Sequence, residues 1–411
     1  MTIRLAHFVT HPIQYFAPLY RRLAAQPGVE LTVLFGSDFG LRPSFDEGFG
    51  RTVRFDVPLL EGYHHRFLTN RGSGVPARGY GNFDCPDADT LLAGNKFDVL
   101  WVHGWAHKAH WQFFRAARRH AVPYLIRGET SLLLKPKYSL PWLVTAIHVS
   151  RMVRGAATCL YIGRSNRAFY ASLGVPESRL RPAHYSVDAA GFRAAAGSEP
   201  ERAECRRQFG AEPDVLVVAC AAKAIARKRL GDAIRAVGKL GPTVRLWILG
   251  DGPLRPQLEA LAAREAPGRV VWHGFVNQSQ MPRLLAAADV FAMPSDTEPW
   301  GLAVNEAMSV GLPAVCSSAV GCAADLVRPG ETGYQYRVGD IAALANYLDK
   351  LRADPAARRR MGRAAQELIV NEYDTGATAR QIADAVQQLV PARPASTTPL
   401  EPQPLTSGAG R

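Results

Sequence analysis

DVFAMPSDTEPWGLAVNEAM, residues 289–308, decides the reading of the fold. An apolar run, DVFAMPS, reads as a strand, and GLAVNEAMSVG after it reads as a helix, with Glu298 and Gly301 in the loop between. A strand, a loop and a helix place backbone N–H groups at the mouth of a sheet, where with the helix dipole they form a phosphate site. Gly301 lets a ligand come close to the backbone. Glu306, on the first or second turn of that helix, suits paired hydroxyls such as those of a ribose. Glu298, earlier in the loop, faces what lies beyond the phosphates. Either glutamate alone is explained as an acid favouring a helix N-terminus. Together, and beside the motifs below, they read as a ligand constellation.

The same alternation extends outward on both sides. In the second half, strands are expected at 215–220, 244–249, 270–273, 290–293 and 314–317, with helices at 231–240, 256–265, 281–287 and 301–310. In the first half, strands are expected at 3–9, 31–35, 99–103, 123–127 and 159–162, with helices at 16–25, 105–120 and 166–173. Near-continuous apolar strands separated by helices argue for parallel sheets covered on both faces. The expected division is a Rossmann-like domain at 1–187, a linker at 188–200, a second Rossmann-like domain at 201–370, a C-terminal helix at 371–390 that could pack back on the first domain, and a disordered Pro/Ser/Thr-rich tail at 391–411. Two such sheets imply a cleft between their carboxyl ends, where open α/β folds bind ligands. Residues 140–153 are expected as a helix packed on the sheet, with interfacial membrane contact as the sharper alternative.

Composition narrows the classes. At 411 residues the chain exceeds what one core usually supports. The N-terminus MTIRLAHFVTHPIQYF reads as a first strand and not a signal peptide, and no apolar run is long enough to span a membrane. Six scattered cysteines with no CxxC pair favour a reducing, cytoplasmic compartment. A net charge of +13 is compatible with nucleic acid, an anionic membrane surface or phosphorylated substrates, and equally with an arginine-rich GC-biased genome. No nucleic-acid motif is present, so that partner ranks last.

Three further motifs follow strands. AAKAIARKRLGDAI (221–234) puts Lys223 and Lys228 in a strand-to-helix loop, where two cations would neutralise a diphosphate. ILGDGPL (248–254) ends a strand in Gly250 and Gly252, and VWHGFVN (271–277) offers backbone at Phe275 and Val276 to a base edge. Each alone is weak.

Their order, with PS-x2-E-x2-G-x4-E-A, VGLPAV and GETGYQY, resembles the family 4 retaining glycosyltransferases of the GT-B fold, whose E-x7-E pair corresponds to Glu298 and Glu306. The resemblance spans the chain up to the tail and is strongest over 216–333; CLYIGRSNRAFYASLGVPESRL with Val187 and Asp188 is similar to the end of that family's first domain. It implies an α/β, GT-B architecture of two Rossmann-like parallel-sheet domains facing across a cleft. It places Lys223 and Lys228 on the donor diphosphate, Glu306 on the ribose and Glu298 near the sugar. Backbone at Gly301 and Leu302 would meet phosphates or sugar, and backbone at Phe275 and Val276 the nucleobase; Gly250, Gly252 and Asn305 complete the donor side. His103, ending FDVLWVHGW, falls where the family often has a histidine facing the sugar, and joins Glu298 and Lys228 as the catalytic set. Arg127 and Glu129 in LIRGET, with His11, Gln14 and Tyr15 in THPIQYFAP, are acceptor-side candidates.

There are departures from the family pattern. THPIQYFAP stands where a Gly-rich pair is common, Lys223 replaces an Arg and so loses bidentate pairing, and Arg229 replaces a Gly. His107 and His110 lack a third ligand, and Asp87-Ala88-Asp89 reads as a helix N-cap, so no metal is expected. The implied activity is retaining transfer of a sugar from a UDP- or GDP-linked donor to an acceptor hydroxyl, in polysaccharide, glycolipid or related glycoconjugate biosynthesis, with no cofactor. The acceptor is a sugar, a lipid-linked sugar or a small molecule; KPKYSLPW (135–142) with Arg151 and Arg154 suits an anionic or lipid-linked one at the inner membrane face. The alternatives are a GT-B epimerase or phosphorylase, and a non-catalytic subunit that binds nucleotide.

Overall fold

The computed structural model describes residues 2–76, 79–131 and 140–390. In chain order its strands are β1 (Ile3–Val9), β2 (Val29–Phe35), β3 (Ser44–Asp46), β4 (Arg51–Val53), β5 (His64–Phe67), β6 (Val99–His103), β7 (Tyr124–Arg127), β8 (Thr158–Tyr161), β9 (Leu180–Pro182), β10 (Leu216–Ala221), β11 (Val244–Leu249), β12 (Val270–Gly274), β13 (Val290–Met293), β14 (Ala314–Ser317) and β15 (Gly333–Tyr336). They form two sheets, ordered β5-β2-β1-β6-β7-β8-β9 and β12-β11-β10-β13-β14-β15, plus the β3-β4 hairpin. Both sheets are parallel throughout and the hairpin is antiparallel.

The central strands explain themselves. VLWV of β6, YLIR of β7, LVVAC of β10 and VFAM of β13 are buried along their length, as strands covered by helices on both faces must be. The edge strands β5, β9 and β15 carried no such signal, and β5 (HHRF) is exposed along its whole length. Each sheet reverses its order beside its first strand: β1 sits between β2 and β6, and β10 between β11 and β13. Crevices open at the carboxyl ends of strands at such reversals. That is where the loops after β1, β6, β10 and β13 lie.

The chain crosses between the sheets twice at one place. Val187 bridges Asp374, with Val187 N–H donating to Tyr373 (3.2 Å) and Thr375 N–H to Val187 (3.0 Å). The stretch 188–200 is not irregular, as its composition suggested: it carries the helix Ala189–Ala195, started by Asp188 accepting from Gly191 N–H (3.1 Å). Its alanines favour helix once that cap is in place. After the second crossing the helix Thr375–Gln387 lies against Ala17–Ala24 and β9, tied by Gln388 to Arg181 (3.0 Å) and by Gln387 to the Pro27 carbonyl (3.2 Å).

The helix Leu140–Gly155 packs on the first sheet through Val149, Met152 and Val153, and Tyr124 donates to the Met152 carbonyl (2.7 Å). No helix among the described residues is long and apolar enough to cross a membrane. Residues 135–139 of KPKYSLPW and the tail 391–411 lie outside the described residues. Asp87 stands at the N-cap of Ala88–Leu92 but does not cap it: its carboxylate accepts from Thr69 N–H (3.0 Å), while Asp89 pairs with Arg119 and His120. All six cysteines are free and buried.

Candidate active site

The loop after β10 turns through a 3-10 segment, Ala226–Lys228, before the helix Leu230–Gly238. Lys228 is turned inward and pairs with Glu298 from the loop after β13; Arg227 adds a second contact to the same Glu298 oxygen (3.3 Å) and donates to the Thr297 carbonyl (3.2 Å). Burial lowers the Lys228 pKa, and Glu298 opposes that fall. Glu298 is therefore not the free carboxylate expected at the sugar: two cations hold it. Its backbone is held as well, accepting from Gly321 N–H (3.0 Å). Arg227 was missed because it is one of four cations in seven residues. Arg229 occupies a left-handed conformation (φ 49°), which accounts for a glycine being usual there, and Asp232 braces its guanidinium (2.7 Å).

Gly301, also left-handed (φ 99°), begins the helix Leu302–Ser309. A Cβ at Gly301 would lie 2.9 Å from Val320 and 3.0 Å from the Met293 sulfur, so the glycine is required by packing as well as by conformation. One turn on, Glu306 is buried and accepts from Gln278 (2.9 Å). Burial raises its pKa to about 7, with Gln278 opposing. Glu306 and Gln278 line a cavity of about 180 Å³ with Gln14, Tyr15, Asp188 and Phe192. Gln14 and Tyr15, expected on the acceptor side, thus share a cavity with the glutamate expected at the ribose. Gln278 and Phe192 belong to no motif, and only the fold brings them and Asp188 there.

One donor-side expectation is corrected, and the other donor-side residues carry structural contacts of their own. Asn305 is fully buried, accepting from Trp300 Nε1–H (2.9 Å) and donating to the Tyr185 carbonyl (3.0 Å), so it ties the domains together and leaves nothing for a ligand. Gly250 and Gly252 are small because backbone crowds them: a Cβ at Gly250 would lie 2.0 Å from the Ala222 oxygen, and one at Gly252 2.8 Å from the oxygens of Ala224 and Gly48. Lys223 is not an open cation either, since both Asp46 oxygens lie 2.8 Å from its Nζ. Phe275 meets the Phe49 ring edge-on (4.9 Å), while Val276 is buried in the core beside it.

Across the cleft, His103 ends β6 with its Nε2 3.6 Å from Glu129 and its ring against the edge of Phe16 (4.9 Å). Burial lowers its pKa below the ordinary histidine value, with Glu129 opposing. Burial alone would raise Glu129, but His103, the Tyr185 hydroxyl that donates to it, and Arg127 outweigh burial and hold it below the usual carboxylate range. His103, Trp105, Glu129, Thr130 and Pro299 line a depression of about 250 Å³.

Arg127 is not on this surface. It is fully buried, donating to the carbonyls of Ala183 (3.2 Å) and His184 (3.0 Å) and stacking on Tyr185 (5.0 Å), which props the segment that carries Tyr185. His11 bonds to Thr10 (2.9 Å) and meets the Phe39 ring, and burial lowers its pKa to about 4. His110 is spent on structure, its Nε2–H reaching the His103 carbonyl (3.0 Å). No group of three or more His, Cys, Asp or Glu among the described residues is arranged to hold a metal ion.

Residues 201–368 match the family model of glycosyl transferases group 1, and residues 12–186 that of the glycosyl transferase 4-like domain. The lipopolysaccharide core biosynthesis glycosyltransferase LpsE of Rhizobium meliloti is 33% identical over 190 residues, 46% of this chain and 54% of that protein. The sulfoquinovosyl transferase SQD2 of Arabidopsis thaliana is 28% identical over 273 residues, 65% of this chain and 52% of that protein. The chain spans about half the length of the curated relatives it matches. Among solved structures, Anabaena Alr3699/HepE in complex with UDP superposes with a TM-score of 0.73 at 20% identity, covering 94% of this chain and 100% of that one. WaaG, a glycosyltransferase involved in lipopolysaccharide biosynthesis, does so at 0.65 and 15% identity, covering 93% and 99%. The likeness to these structures is one of fold, and the fold is GT-B.

Proposed function

Because the chain belongs to the group 1 glycosyl transferases, with a glycosyl transferase 4-like first half, we propose that it moves a sugar from a UDP- or GDP-linked donor to an acceptor hydroxyl, with retention, in glycoconjugate biosynthesis. One observation supports this reading: Lys228 pairs with Glu298 between the loops after β10 and β13, and the second loop enters, through Gly301, the helix that carries buried Glu306. The reaction demands stabilisation of a leaving diphosphate. Lys228, Lys223 and the N–H groups after Gly301 supply preorganised positive potential for it, with no metal ion called for. Glu306 accepts from the ribose hydroxyls. Glu298 fixes the Lys228 ammonium, and His103 faces the sugar from the first domain. The acceptor oxygen bonds to the anomeric carbon on the face from which the diphosphate departs, and its proton passes to a phosphate oxygen of the leaving group.

The acceptor, a sugar, lipid-linked sugar or small molecule, sits in the depression beside Trp105 and Glu129. A lipid-linked acceptor would bring the enzyme to the cytoplasmic membrane face, towards which exposed Arg151 and Arg154 are suited. HepE binds UDP and glucose, so UDP-sugars are the first donors to try.

The test is a thermal-shift panel of nucleotide sugars followed by kinetics. Glu306→Ala should weaken the stabilising donor by about tenfold or more, and Lys228→Ala should cut kcat by roughly a hundredfold. Wild-type affinity and rate in both variants would overturn the assignment. An epimerised donor or free sugar phosphate formed without acceptor would point instead to the epimerase or phosphorylase.

A further inference from the structure

The β3-β4 hairpin belongs to the first half of the chain but rests on the loops of the second. Asp46 shapes its turn, its carboxylate accepting from Gly48 N–H (2.8 Å) and Phe49 N–H (3.0 Å). The same carboxylate reaches across the cleft to Lys223, with both oxygens 2.8 Å from Nζ, and Phe49 lies under that ammonium at 4.5 Å. Beyond the turn, Phe49 and Arg51 pack on Phe275, Asn277 donates to the Arg54 carbonyl (2.8 Å), and Ser279 donates to Asp56. The segment 46–56 therefore covers the loops at 223, 250–252 and 275–279, three of the loops expected at the donor.

The two lysines of the site are held differently. Lys228 and Glu298 are 11% and 12% exposed, a pair locked in the interior. Lys223 and Asp46 are 32% and 34% exposed, and a half-hydrated pair of this kind is weak enough to exchange partners.

We propose that this hairpin is the lid of the donor site and that Asp46 stands in for the donor diphosphate on Lys223. A ligand with a β-phosphate displaces Asp46 as it enters. After transfer, Asp46 competes with the nucleoside diphosphate for the lysine and hastens its release. Asp46 therefore weighs on diphosphates alone, since a nucleoside monophosphate lacks the group that competes for Lys223. The proposal rests on the donor reading above.

Asp46→Asn is the informative substitution, because an amide oxygen still accepts from Gly48 and Phe49 while the charge is lost. Calorimetry with UDP, UMP, GDP and GMP on the full chain should show Asp46→Asn binding the accepted nucleoside diphosphate roughly fivefold more tightly, with its monophosphate within about twofold of wild type. In a Lys223→Met background the same substitution should change diphosphate affinity by less than about twofold. Unchanged or weaker diphosphate binding in Asp46→Asn, or equal gains for mono- and diphosphate, would overturn the lid proposal while leaving the donor reading in place. If wild type binds neither UDP nor GDP, the donor reading fails and the lid falls with it.

Discussion

Burial raises the Glu306 pKa to about 7 against the opposing hydrogen bond from Gln278, so near neutral pH this group is divided between its two protonation states. The folded protein then holds a proton that the unfolded chain, with an ordinary carboxyl, has released. Stability from this group is full below the unfolded value, falls as pH rises, and is lost once pH passes about 7. Glu306→Gln removes the cost of burying the charge. The expected outcome is a variant more stable than wild type by about 3 kcal/mol at pH 8 and nearly equal to it at pH 4, measured by urea unfolding at both values. The same substitution should weaken donor binding, because an amide is a poorer acceptor for two ribose hydroxyls. On the donor reading proposed above, a residue that limits the empty protein's stability but serves the ligand is the ordinary compromise of a binding site.

At the scale of elements, the loop from β13 into Leu302–Ser309 does most of the positioning. Gly301 has a conformation L side chains avoid, and Val320 and the Met293 sulfur fill the space a Cβ would need. Gly301→Ala should therefore lower stability by about 2 kcal/mol and displace the helix start. Thermal unfolding reads the first effect and weaker nucleoside diphosphate binding the second; a variant as stable as wild type would mean the loop adjusts without cost. The loop after β10 has the corresponding demand at Arg229, met by a residue that Asp232 holds in place.

The whole molecule is joined unevenly. On one side Trp300, Asn305 and Tyr185 form a buried hydrogen-bonded link between the two halves, and the chain crosses twice beside Val187 and Asp374. On the cleft side the halves meet through the partly exposed contacts of the β3-β4 hairpin. Asn305→Ala leaves the Trp300 N–H and the Tyr185 carbonyl buried without partners, at a cost of about 2–4 kcal/mol. Its expected signature is a clear fall in Tm, with a smaller loss of donor affinity than Glu306→Ala gives. An unchanged Tm would show that the halves are held elsewhere.

What was legible in the sequence was what local pattern encodes. Apolar runs such as LVVAC and VFAM announce strands buried on both faces, and the spacing of Glu298, Gly301 and Glu306 announces a loop entering a helix. These follow from periodicity and backbone conformation, which a residue shares with its neighbours in the chain. Edge strands such as β5 were silent because they are short and exposed. Who partners whom was decided by the tertiary structure alone. Asn305 and Arg127 look like ligand-binding groups in one dimension and are buried structural ties in three. Glu298 and Lys228 were assigned separate tasks but hold each other, and Asp46, 177 positions from Lys223, entered no motif at all. Burial and charge pairing act through space, at distances set by how the two sheets face each other, and no local spacing records them.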